Sequence, residues 1–324
     1  MSDGGVTAEA SARRLSNDVD AITTRCAVVG AAHSLVWVKG PDAVEFLDGL
    51  ISQSVAGTEP GGVRRSLLLS PQGKLRALLW VLGGETAEVG LMTQRATEST
   101  LVEDLTRFRF RVDAAIELED RPVVSLIGPG AAGALLAAGV ASPLGGWLPT
   151  DAGLVATIPF TNAGPPRYVL VGDAAAAVSA SAPLADIAAY ESLRLTVGEP
   201  VGNVDFDETT IAQELGPVDE AVDFTKGCYL GQELVARIDS RGRVTRALRG
   251  VVVPGWFPLQ GAALATAERN VGTVTSAAPS LTGEATIGLA LVRHEVADGS
   301  VVTATVDGVG ATAEIRSLPL QAFG

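Results

Sequence analysis

Apolar residues recur along this chain in two rhythms, and each rhythm marks a different element. Residues 35–40 (LVWVKG) read as a strand. Pro41 then suits a first helical position, Asp42 lies beside the positive helix end, and Val44, Leu47, Leu50 and Ile51 follow at helical spacing. Residues 66–82 (SLLLSPQGKLRALLWVL) are two apolar runs around Ser70-Pro71-Gln72-Gly73, the pattern of a β-hairpin. Residues 122–139 predict strand, turn and helix. A further helix is expected over 184–195, closed by Gly198 and Pro200. From Leu248 onward the pattern becomes short β runs divided by Gly, Pro and Asp-Gly turns, which predicts a small antiparallel barrel or sandwich. The expected organisation is α+β, with residues 1–24 a flexible tail, 25–245 one region and 246–324 a separate C-terminal β domain.

Composition narrows what such a chain does. Its 324 residues suffice for two or three domains, and 47% hydrophobic with 19% charged residues describes a chain that buries a core. Cys26 and Cys228 are the only cysteines, and His33 and His294 the only histidines. That count excludes a disulfide framework and a resident four-thiolate metal or iron–sulfur site built by one chain. The first residues contain no apolar segment of the secretory type, so the cytoplasm is expected. Residues 122–150 are uncharged, but Pro129, Pro143 and many small residues mark them as part of a folded domain rather than a membrane span.

The net charge of −13 argues against a DNA-coating role, yet it is unevenly distributed. Residues 184–225 carry ten acidic groups and one arginine. Residues 226–249 carry Lys226, Arg237, Arg241, Arg243, Arg246 and Arg249 against Glu233 and Asp239. Two smaller basic islands are Arg64, Arg65, Lys74 and Arg76, and the alternating RFRFR from Arg107 to Arg111. Each is a candidate for gripping an anion or, equally, a solvated face.

Two motifs invite chemistry. Gly128-Pro129-Gly130-Ala131-Ala132-Gly133 fits G-x-G-x-x-G, with Asp151 downstream, but the intervening ASPLGGWLPT reads as loop where a dinucleotide site needs a second strand. The stretch Lys226-Gly227-Cys228-Tyr229-Leu230-Gly231-Gln232-Glu233, followed by Arg237, places a thiol at or just before a helix start. A helix N-terminus and flanking Lys226 and Arg237 would favour its thiolate and make it nucleophilic, redox-active or metal-binding. Alternatively Cys228 is a small buried hydrophobe, as Cys26 is expected to be. Gln232 and Glu233 either bond back to the loop or, for Glu233, pair with Arg237 one turn on.

KGCYLGQE with Arg237 resembles the signature of the YgfZ-type folate-binding proteins, relatives of the glycine-cleavage aminomethyltransferases (GcvT). GPDAVEFLDGLISQSV, the 66–82 hairpin, ESLRLTVGEP with the acidic stretch after it, and VGTVTS extend the likeness over roughly residues 25–324. The resemblance implies a three-domain ring with a bipartite first domain, a ferredoxin-like middle domain and a C-terminal antiparallel β-barrel. It implies a tetrahydrofolate in the central hole and a role in assembling or repairing iron–sulfur clusters, linked in bacteria to tRNA-modifying enzymes. Folate, iron–sulfur proteins or their assembly machinery are the expected partners, with neither DNA nor membrane.

The likeness also assigns residues. His33 and Tyr190 fall where ring-stacking side chains are expected, and Arg76, Lys226 and Arg237 are expected to receive the folate's glutamate carboxylates. Cys228 is the expected reactive group. The aminomethyltransferase carboxylate expected after the hairpin is missing from residues 74–79, and the one expected near residues 167–170 is missing too. A folate-dependent aminomethyltransferase or demethylase on an unknown amine is therefore the alternative, as is a module docking tRNA or protein through 226–249.

Overall fold

The computed structural model describes residues 3–30, 32–84, 87–242, 244–321 and 323. Arg243 of the basic 226–249 segment lies outside the described residues. The chain is mixed α and β: two antiparallel five-stranded sheets and a closed barrel. The first sheet runs β1 (Ala27–Gly30), β7 (Val123–Ile127), β10 (Arg167–Gly172), β9 (Gly153–Thr157) and β8 (Trp147–Thr150). The second runs β3 (Val63–Leu69), β4 (Leu75–Leu82), β5 (Glu88–Gln94), β2 (His33–Lys39) and β6 (Ala115–Leu118). Helices α2 (Ala43–Asp48) and α3 (Glu98–Phe108) seal one face of the second sheet over Val36, Val38, Leu79 and Val81. Residues at alternate positions of those strands, Leu35, Trp37, Trp80 and Leu82, point the other way and pack on Leu154, Ala156, Val169 and Val171 of the first sheet. A period of two thus lets one sheet serve two cores.

The C-terminal barrel closes in the order β11 (Arg246–Pro254), β14 (Ala285–Arg293), β13 (Asn270–Pro279), β12 (Ala263–Ala265), β15 (Val301–Val306) and β16 (Val309–Arg316), with β16 returning to β11. Closure leaves no unpaired barrel edge. Helix α5 (Asp173–Ser179) packs on the first sheet, and helix α6 (Ile187–Val197) links barrel and sheets. It starts where the Asp186 carboxylate accepts the Ala188 N–H at 2.9 Å, three residues after the expected start, runs two residues past the expected end, and stops at Gly198 in the left-handed conformation.

Two sequence expectations are corrected. Residues 3–24, expected as a flexible tail, form helix α1 (Asp3–Thr24), and Val19, Ala21 and Ile22 are buried against α6 and β1. Leu15, Val19 and Ile22 stand at i, i+4 and i+7, an amphipathic stripe rather than the continuous apolar run of a signal segment. Residues 147–150, read as loop, form β8, an edge strand where Pro149 is tolerated. Because β8 runs antiparallel to β9 in a hairpin, the glycine motif at 128–133 opens α4 (Ala131–Ala137) with no parallel strand pair around it, and the dinucleotide topology is absent. Residues 122–150 accordingly form β7, α4 and β8; among the described residues no helix is long and apolar enough to cross a membrane.

Candidate functional site

A cleft of about 400 Å³ opens where the β3–β4 hairpin meets residues 161–162, Pro200 and residues 212–221. Leu67, Leu75, Leu78, Leu79 and Trp80 give it an apolar wall, with Val218, Leu215 and Ala212 opposite. Arg65 enters from β3, and Asp219 and Glu220 stand exposed at its mouth. Its size and its apolar lining with few polar groups suit a small organic ligand.

Two buried donors in this wall lack acceptors. Trp80 Nε1 and Arg65 Nε find no hydrogen-bond partner among the described residues. The rest of the Arg65 guanidinium is anchored, donating to the carbonyls of Phe160 and Thr161 and to Glu220 Oε2 at 2.8 Å. Burial pulls its pKa down, which Glu220 and Glu199 partly oppose. A buried polar group with no partner is costly, so donors left open at a cleft wall are places for a ligand's acceptors.

Behind Trp80 lies a second layer. The Arg167 guanidinium sits 5.6 Å from the Trp80 ring and 3.9 Å from the Phe160 ring, and makes two hydrogen bonds to Glu199, at 2.7 and 3.0 Å. Both charged side chains are fully buried. The Tyr190 hydroxyl donates to Glu199 Oε1 and accepts from Arg167 Nη1, and burial pushes its pKa far up. His33 lies edge-on to Trp80, its Nδ1 3.1 Å from Ser125 Oγ and its Nε2 unpartnered. Burial, with the Arg167 charge second, lowers the His33 pKa well below 6.5, so the ring is neutral.

The residues expected to contact a ligand lie outside the lining of this cleft. His33 and Tyr190 are buried and back the cleft wall instead of lining it. Arg76 is held by Asp104 at 2.7 Å with Glu208 at 3.6 Å, Lys226 is turned inward, and Arg237 pairs with Glu233 on an exposed helix face. None of these five lines the cleft; Arg65 and Trp80 do. The signals were present. Arg65 belongs to a noted basic island, and an arginine opening the apolar run RYVLVG demands a buried partner, found in Glu199.

The cysteine motif builds a separate feature beside the same hairpin. The Asp223 carboxylate accepts the N–H groups of Thr225 and Lys226 and the Thr225 hydroxyl, which shapes the turn into the loop. Lys226 Nζ donates to Asp48 Oδ1 and to the carbonyls of Ile51 and Gln53, and lies 5.5 Å from the Tyr229 ring. Burial lowers its pKa, with Asp48 opposing. Tyr229 packs among Leu67, Leu69, Leu75 and Val218, so the apolar cluster that walls the cleft also anchors the motif. Burial pushes its phenol up to about 12.

Gly231, at φ 78°, caps α7 (Gln232–Arg241), and the Gln232 side chain accepts the Tyr229 N–H at 3.2 Å. Between these anchors Cys228 is exposed in the loop, three residues before the cap. The cations expected to act on its thiol are engaged elsewhere, Lys226 with Asp48 and Arg237 with Glu233. The buried-hydrophobe alternative is thereby excluded for Cys228. Cys26 is half-buried, and burial raises its pKa more than neighbouring Arg25 lowers it.

Comparison with known proteins gives this geometry a context. Residues 241–321 match the family model of the glycine cleavage T-protein C-terminal barrel domain. The chain is 30% identical over 233 residues to the tRNA-modifying protein YgfZ of Edwardsiella ictaluri, covering 65% of this chain and 66% of that one. It is 33% identical over 118 residues to the mouse mitochondrial iron–sulfur cluster assembly factor IBA57, a third of that relative's length. The glycine cleavage system aminomethyltransferase T of Bartonella henselae superposes with a TM-score of 0.81 over 95% of this chain and 89% of that one, at 19% identity, which establishes a shared fold.

Proposed function

Since the chain is a YgfZ/IBA57-type, aminomethyltransferase-related protein, we propose that it binds a reduced folate in the cleft beside the β3–β4 hairpin and assists assembly or repair of iron–sulfur clusters through Cys228. The observation that carries the proposal is the cleft wall. Its leucine-rich apolar wall, with the buried Trp80 indole set into it, suits a pterin or aminobenzoate ring, and the unpartnered Trp80 and Arg65 N–H groups suit a folate's ring acceptors, carbonyl or carboxylate. The residues present thus fit the cofactor, which supplies one-carbon or redox chemistry of its own when bound.

Cys228 offers one exposed thiol, and among the described residues no group of three or more histidine, cysteine and acidic side chains is placed to hold a metal. A cluster reaching this chain is cargo, with its remaining ligands coming from a partner. Residues 74–79 of the hairpin supply no carboxylate, and Asp219 and Glu220 face solvent at the mouth. This favours a binding and delivery role over aminomethyl transfer, which needs a positioned proton donor or acceptor. Action in the cytoplasm belongs to the proposal.

Titration of the purified chain with 5-formyltetrahydrofolate, followed by tryptophan fluorescence, tests the cleft. Saturable binding weakened about tenfold or more by Arg65→Met, the loss of a charge-assisted hydrogen bond, supports it. Binding indifferent to Arg65→Met and Trp80→Phe removes it. In a strain deficient in iron–sulfur repair, Cys228→Ala is expected to keep folate affinity and to lose rescue.

A further inference from the structure

The alternating RFRFR segment is unused by the cleft and by the cysteine loop. Helix α3 ends at Phe108, and the chain turns back through Arg109 N–H to Thr106 and Phe110 N–H to Phe108. Its base is pinned: the Asp42 carboxylate accepts the Asp113 N–H at 2.8 Å, and Arg109 Nη1 donates to the Ala114 carbonyl at 3.0 Å. The tip then carries Phe110, 76% exposed, between Arg109 and Arg111. Arg107, Arg109 and Arg111 are all exposed, and none enters an ion pair among the described residues. The chain has 37 acidic residues, yet these three arginines within five positions have no acidic partner among the described residues.

The backbone adds a second observation. Among the described residues three non-glycine positions have positive φ: Asn203, Asp307 and Arg111, the last at 58°. Asn and Asp adopt that conformation readily, whereas Arg does so at a cost. At this turn the Arg111 guanidinium lies 5.2 Å from the Phe110 ring centre, and Phe110 remains 76% exposed. A pre-formed arginine–phenylalanine stack beside two more arginines offers one flat surface and several phosphate donors.

We infer that this loop docks a single-stranded segment of RNA, an unpaired base stacking on Phe110 while Arg107, Arg109 and Arg111 take flanking phosphates. RNA loops present unstacked bases, and these are read by aromatic and guanidinium planes; duplex DNA keeps its bases stacked inside. Asp42 and Asp113 line the same depression, so the local field is mixed and stacking carries a share of the affinity. Arg107 also borders a neighbouring depression lined by Lys74, Arg76, Asp104 and Glu208, in which Arg76 is already paired with both acids, so the phosphate donors are those of the 107–111 segment itself. The inference is independent of the folate cleft and of Cys228.

Fluorescence anisotropy of a labelled RNA hairpin with an unpaired loop, using the full chain, tests it. Three phosphate contacts to a single strand predict a slope of about −2 in log affinity against log salt, reduced by about 0.7 for each arginine changed to Gln. Phe110→Ala is expected to weaken binding roughly 5- to 150-fold, the range for one lost base stack, and Phe110→Trp to retain it. Thermal midpoints are expected to stay unchanged, because the side chain is exposed. Cys228→Ala and Trp80→Phe are expected to bind the RNA as the parent does. No binding by the parent, full binding by Phe110→Ala, equal affinity for duplex DNA, or preference for an acid-rich peptide would each overturn the inference.

Discussion

Gly73 and Gly231, 158 positions apart in sequence, meet backbone to backbone: a Cβ at Gly231 would stand 2.9 Å from Gly73 Cα and 2.5 Å from the Ser70 carbonyl oxygen. Each is also left-handed, at φ 75° and 78°. The contact seats the cysteine motif on the hairpin that walls the cleft, so the geometry of one depends on the other.

Gly231→Ala is accordingly expected to cost about 1–3 kcal/mol from the backbone conformation alone, plus displacement of the turn. Urea unfolding followed by far-UV circular dichroism measures it. An unchanged midpoint would mean the two turns do not touch in solution.

The thiols are expected to differ in reactivity. Cys228 is exposed, while burial raises the Cys26 pKa, so Cys228 should react with iodoacetamide at pH 7.5 about tenfold faster or more. Mass spectrometry of the modified peptides gives both rates in one sample. Arg237→Ala should leave the Cys228 rate unchanged, because that guanidinium is engaged with Glu233.

His33 gives a pH dependence with a definite sign. Its folded pKa lies well below 6.5, near which the unfolded chain titrates, so above that pH both states are neutral and the group contributes nothing to the slope. As pH falls below 6.5, the unfolded state binds a proton that the folded state refuses. Stability then declines by up to about 1.4 kcal/mol per pH unit. His33→Gln is expected to flatten this fall between pH 6.5 and 5. The window is separate from that of Glu119, whose carboxyl is lowered to about 2, chiefly by Arg121, and whose contribution is lost only below pH 4.5. Equal slopes in parent and variant would place the loss on other groups.

Removing one member of the buried Arg167–Glu199 pair leaves the other charge without a counterion. Glu199→Gln is expected to cost about 3–5 kcal/mol, and Arg167→Met combined with Glu199→Leu much less. Thermal unfolding of both variants makes the comparison. A double variant as unstable as the single one would show that the pair's shape, through Trp80 and Phe160, matters more than its charge.

Local rhythm made much of the architecture legible. The hairpin, α6 and the C-terminal strands are written in alternation and turn residues that act over a few positions. The helical stripe Leu15, Val19, Ile22 was equally local, but a search for a continuous apolar segment passes over it. The cleft wall was harder to read. That Trp80 faces a cavity while Leu79 also contributes to the α2–α3 core depends on where residues 212–221 return, and nothing local to the hairpin specifies that. The motif lysine and arginine were visible as charges, but their partners, Asp48 and Glu233, decided what those charges do.

The inward turn of Lys226 also has a consequence for biosynthesis. Its ammonium group joins the cysteine loop to Asp48, Ile51 and Gln53, residues made some 175 positions earlier. A nascent chain that has completed only the hairpin sheet holds a vacant berth for this lysine, and the loop takes its shape only when translation has passed residue 226 and the two parts dock. The thiol is thereby presented in its finished setting only by a chain that has already brought its distant segments together, which makes its presentation a report on completed folding.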